Sequence, residues 1–135
     1  MSVTADFARR FRFLTLLRAS LVLGALWDIV FALLLAFAPE ASARIFELPL
    51  PPLPEGAFYL WIFAVVLLML AALYILAARD TRRYSGIVGV AIGGRMLGGL
   101  VLSLAALRVP GLVPMAAADL GFGIAHAVFW LPIRS

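Results

Sequence analysis

Apolar residues run along this chain in four long blocks, Phe13 to Ala38, Ala57 to Ala78, Tyr84 to Leu107 and Leu112 to Leu131, each bounded by charge or proline. A helix rises about 1.5 Å per residue, so every block is long enough to cross a hydrocarbon layer of about 30 Å. The pattern predicts an all-α fold, a single domain over residues 1–135 forming an integral membrane four-helix bundle. The first block is the longest, so it tilts or projects a turn into the interface. It follows Arg9, Arg10 and Arg12, as a signal peptide would, but it is too long and contains Asp28. Its only small-x-small cleavage candidate, Ala36 to Ala38, is followed by Pro39, so it reads as a retained helix.

The connections predict which helices are neighbours. Arg79-Asp80-Thr81-Arg82-Arg83 is short, making the second and third helices antiparallel neighbours, and Arg108-Val109-Pro110-Gly111 ties the third to the fourth. Residues 39–56 form a long loop. Within it, Ala41 to Leu48 suits a short interfacial helix with Ile45 and Phe46 dipped inward, and Pro49-Leu50-Pro51-Pro52-Leu53-Pro54 suits an extended strap, a linker or a lid. Phe7, Phe11 and Leu14 recur at helical spacing among arginines, as in an interfacial extension lying on anionic headgroups.

Composition agrees with a membrane protein and removes several chemistries. Of the 135 residues 65% are hydrophobic, which leaves too few polar side chains to coat a water-soluble fold. With no cysteine, one histidine and seven acids, disulfides and thiolate sites are excluded and a metal site finds few ligands. No cofactor-binding motif is evident. All eleven basic residues are arginine. They flank the apolar blocks instead of forming a polar face, which speaks against nucleic acid as a partner. Arg9, Arg10, Arg12, Arg79, Arg82, Arg83 and Arg134 lie on one side, against Arg44 and Arg108 on the other. By the positive-inside rule both termini are cytoplasmic, in a multi-pass protein of the plasma (inner) membrane.

Ionisable residues inside the blocks carry the candidate chemistry: Arg18, Asp28, Arg95, Asp119 and His126. A charge at a helix centre costs about 2.5–3.5 kcal/mol on insertion scales, so these side chains should face one another. Measured from the cytoplasmic side, helix rise sets Asp28 roughly 22 Å deep, Arg95 roughly 16 Å deep and Asp119, approached from the outer side, roughly 20 Å deep. An arginine side chain spans such differences, so Arg95 reaches Asp28 and Asp119 as an intramembrane ion pair. Asp119, Gly123, His126 and Trp130 share one helix face, putting His126 in the same interior. Two carboxylates and one guanidinium leave a negative charge, balanced by a proton on an aspartate, by a cationic His126, or by water. The bland alternative is a purely structural clamp. Arg18 suits snorkelling to headgroups, and Trp27 either faces lipid or walls a pocket.

Aromatic placement and small residues complete the reading. Tyr59 and Trp61 fit an outer interfacial belt, and Tyr74, Tyr84 and Trp130 an inner one. The third helix is rich in glycine, at positions 86, 89, 93, 94, 98 and 99, so it is expected to be the most enclosed and the packing hub, with the second helix mainly a wall.

The four spans, the Ala38-Pro39-Glu40 helix exit, the proline-rich loop, the Ala78-Arg79-Asp80-Thr81-Arg82-Arg83-Tyr84 turn and the late Asp119 with His126 together resemble the small four-helix DoxX-like membrane proteins. The likeness covers most of the chain, in architecture more than in motif. Some of that group are associated with oxidoreductase or quinone-linked systems, which is what the resemblance implies here. A looser likeness is to four-helix sterol isomerase-type proteins, whose intrabilayer pocket is lined by acids and aromatics.

The expected function is a buried polar site, Asp28, Arg95, Asp119 and His126, that binds a lipophilic ligand such as a quinone or lipid, or handles protons. Trp27, Arg18 and Trp130 are secondary candidates. The alternatives are a non-catalytic accessory subunit of a homo-oligomer or larger membrane complex, and an intramembrane enzyme, of isomerase or hydrolase type, acting on a lipid-like substrate.

Overall fold

A computed structural model of the chain describes residues 3–134, with side chains from Phe7 onward. Five α-helices follow in order: α1 (Val3–Phe37), α2 (Pro39–Phe46), α3 (Ala57–Arg79), α4 (Ser85–Ala106) and α5 (Val113–Arg134), with a 3-10 turn at Pro110–Leu112 before α5. Four of them, α1, α3, α4 and α5, are long and apolar enough to cross a membrane. The chain is thus all-helical among its described residues and reads as a multi-pass integral membrane protein. The extension expected before the first span is continuous with it, since no proline or glycine interrupts the chain before Gly24.

The buried side chains recur at alternating intervals of four and three residues, the spacing of left-handed helix bundles. On α1 the seam is Leu17, Leu21, Gly24, Asp28, Phe31 and Leu35. On α3 it is Ala64, Ala71, Tyr74 and Ala78. On α4 the seam carries Val88, Arg95 and Gly99, and on α5 Ala116, Gly123 and His126. The ionisable residues therefore stand on the packing seams, not beside them.

Helix order corrects two expectations. α1 packs along α3 on one side and α5 on the other, while α4 packs along α5. α3 and α4, although joined by a short turn, touch little. The turn brings their ends together, but the alanine seam of α3 fits α1. The hub is accordingly α1, the most enclosed of the four, and α4 lies at the rim.

The α4 glycines explain that difference. A Cβ at Gly99 would fall 2.6 Å from Leu120 Cγ, and one at Gly123 2.9 Å from Met96 Sδ, so α4 and α5 approach closely there. A Cβ at Gly86, Gly93 or Gly94 would meet nothing within 4 Å. Only part of the glycine row is used in packing.

At the end away from the arginine-rich turn, α2 packs on α1, with Phe46 meeting Phe31 edge-on at 5.5 Å. Phe46 turns into the bundle while Ile45 stays exposed. Gly111 sits hard against the end of α2, where a Cβ would lie 1.8 Å from the Phe46 carbonyl oxygen. The proline segment is not extended throughout: residues 53–56 turn, Gly56 N donates to the Pro52 carbonyl at 2.7 Å, and Gly56 packs on Pro51.

Candidate functional site

Arg95 is buried at the rim helix and crosses α5 to reach α1. Its Nη1 donates to Asp119 Oδ1, and its Nη2 donates to Asp28 Oδ1 at 2.7 Å and to the Gly24 carbonyl at 3.1 Å. Glycine at 24 matters because the backbone oxygen is read directly and because Arg95, His126 and Phe122 converge there. A Cβ would lie 3.5 Å from Arg95 Nη2, 3.7 Å from His126 Cε1 and 3.7 Å from Phe122 Cδ1.

Two aromatic rings flank the guanidinium. Its central carbon lies 5.1 Å from the Tyr74 ring and 5.4 Å from the Phe122 ring. Cation–π attraction of this kind contributes about 0.5–2 kcal/mol, more when water is excluded. Tyr74 is 3% exposed, so it belongs to this site and not to an interfacial belt. It makes α3 a contributor as well as a wall.

His126 stands beside the guanidinium, entirely buried. Its ring stacks near Phe122 at 6.1 Å and meets Tyr74 edge-on at 6.2 Å. The Ser20 backbone lies alongside, but neither ring nitrogen has a partner in hydrogen-bond geometry among the described residues. Asp28 Oδ2 and Arg95 Nε are likewise buried without a partner. A buried polar atom left so costs about 1–3 kcal/mol. The imidazole and the free oxygen of Asp28 thus offer one donor and two acceptors, or more donors if protonated, in an apolar surround.

The two carboxylates differ. Asp28's side chain is 2% exposed and Asp119's 18%, so Asp119 faces the rim of the cluster. One guanidinium serves both carboxylates.

The other candidates fall elsewhere. Arg18 is exposed, its Nη2 3.5 Å from the Arg79 carbonyl at the end of α3. Trp27 is half-buried, about 100° around the helix from Asp28. Trp130 is half-buried beneath the Arg134 guanidinium, 4.9 Å from the ring centre. Sequence reasoning missed Gly24, Tyr74 and Phe122. The signal for Tyr74 was its place in the Ala64, Ala71, Ala78 row; Phe122 lies one turn before His126. No group of three or more metal-ligating side chains occurs among the described residues.

No protein-family model, curated protein or solved structure matches the chain.

Proposed function

We propose that the chain is a multi-pass protein of the plasma (inner) membrane, both termini cytoplasmic, whose buried cluster binds the polar end of a lipophilic molecule of the quinone or lipid class. The seven-to-two arginine asymmetry supports the orientation. The observation that carries the binding is that His126, with neither ring nitrogen partnered, and Asp28, with Oδ2 unpartnered, are both fully buried around the same Arg95 guanidinium. A carbonyl, a hydroxyl or an ordered water accepts or donates there, so proton handling is the same site's second use. Arg95 and Asp119 hold the charge of the site in place.

The test is titration of the purified protein in nanodiscs with a short-chain quinone, following the ¹⁵N resonances of His126. Saturable shifts are expected in the wild type, and none in Gly24→Ala, whose added methyl occupies the space between Arg95, His126 and Phe122 without a clash. Unchanged His126 resonances on addition of quinone and on exchange of the lipid would defeat this reading.

A second reading, an accessory subunit, draws on α4. Its open glycines at 86, 93 and 94 and the exposed Val90 and Leu97 suit close approach by another helix. Gly93→Leu should then dissociate a complex or oligomer seen on native electrophoresis while leaving the monomer folded.

A further inference from the structure

A cleft of about 720 Å³ opens at the arginine-rich end of the bundle, between the start of α1, the turn after α3, the first turn of α4 and the end of α5. Its volume falls within the roughly 300–1,000 Å³ of small-molecule sites. It is separate from the buried cluster, from which Trp130 divides it: the indole lines the cleft, and His126 lies one turn deeper on α5.

The walls are of two kinds. Arg10, Arg82 and Arg134 line the cleft, as do Phe7, Phe11 and Leu14, which come from a single stripe of α1. Arg134 is held over Trp130, which fixes its guanidinium at the cleft edge. The nearest acid on the adjoining turn, Asp80, accepts hydrogen bonds from the backbone of Arg82 and Arg83, with Oδ1 3.2 Å and 3.0 Å from the two nitrogens. The first turn of α4 carries no acidic residue and no side-chain cap, so its positive end adds to the arginines.

An anion alone would have no use for the phenylalanines, and a neutral apolar molecule none for the arginines. The cleft also lies at the ends of the spans, where headgroups meet acyl chains. We propose that it is a binding site for an anionic phospholipid, the phosphate held by Arg82 and Arg134 and an acyl chain lying along Phe7, Phe11 and Leu14. The flat floor is supplied by Gly86, whose missing side chain leaves the cleft open.

Native mass spectrometry of the full chain in detergent, titrated with phosphatidylglycerol or phosphatidylcholine, tests this. One phosphatidylglycerol should be retained at least tenfold more tightly than phosphatidylcholine. Each of Arg82→Gln and Arg134→Gln should weaken retention about fivefold. Gly86→Leu points into open space, so it folds normally and blocks the cleft, and it should abolish retention. Arg44→Gln with Arg108→Gln, at the opposite end, should change nothing. Equal retention of the two lipids overturns the proposal, as does indifference to Gly86→Leu or an equal loss in the Arg44/Arg108 control. Displacement by millimolar inorganic phosphate would show a plain anion site and overturn the lipid assignment. A change of oligomeric state in Gly86→Leu with lipid retention intact would assign the cleft to a second copy instead.

Discussion

Arg95 Nη2 lies 2.7 Å from Asp28 Oδ1 and thereby joins α4 to α1, two helices whose backbones scarcely meet. The rim helix is held to the hub by a side chain, not by close packing. Arg95→Met should cost about 3–5 kcal/mol, because two carboxylates lose their counter-charge. The triple variant Asp28→Leu, Arg95→Met, Asp119→Leu should recover most of that loss. Unfolding in mixed micelles measures both; an equal loss in the single and triple variants would mean that the charges do not compensate one another.

The carboxylates should not be equivalent. Asp28 is nearly inaccessible and keeps one buried oxygen without a partner, whereas Asp119 is partly open. Asp28→Asn is expected to alter stability and ligand binding more than Asp119→Asn, by about 1 kcal/mol or more. The same unfolding assay, paired with the quinone titration, ranks them.

His126→Phe should raise stability by about 1–3 kcal/mol while removing ligand binding, since it deletes two unpartnered nitrogens and keeps an aromatic ring of similar shape. Stability and function would then move in opposite directions. A variant that is less stable yet binds normally would show that His126 is only a packing residue.

Glycines that look alike in the sequence should behave differently. Gly111→Ala places a methyl far inside van der Waals contact distance of the Phe46 carbonyl oxygen, and a backbone oxygen cannot rotate away. It should cost at least about 2 kcal/mol. Gly94→Ala meets nothing and should be neutral or stabilising by up to about 1 kcal/mol through helix propensity. Thermal midpoints in one detergent compare them.

Glu47 adopts φ 51°, ψ 41° just after α2, a left-handed conformation that glycine takes without strain. Glu47→Gly should therefore stabilise the chain by about 0.5–1 kcal/mol. A lower midpoint would show that the Glu47 side chain contributes more than its backbone costs.

The four spans were legible because a membrane demands some twenty apolar residues in succession, and little else in the chain has that length. That Arg95 meets Asp28 and Asp119 was legible too, since helix rise converts sequence position into relative height. Lateral order was not. In a bilayer the lipid-facing surface is as apolar as the interior, so Leu21 inside and Leu23 outside look the same. Glycine content pointed to α4 as the hub. It failed because small residues permit close approach without requiring it, and Gly93 and Gly94 remain open. The better guide was the seven-residue row Ala64, Ala71, Ala78 on α3, which carries Tyr74 into the site.

α1 contains 35 residues, about 52 Å of uninterrupted helix against a hydrocarbon layer of about 30 Å. Residues near its start line the arginine-rich cleft and its last third carries Asp28. No proline breaks the rod between them, and Gly24 is its one soft point. One rigid element therefore belongs to both sites: Phe7 and Phe11 near one end and, about 31 Å along the axis from Phe7, Asp28, with Gly24, whose carbonyl Arg95 grips, between them.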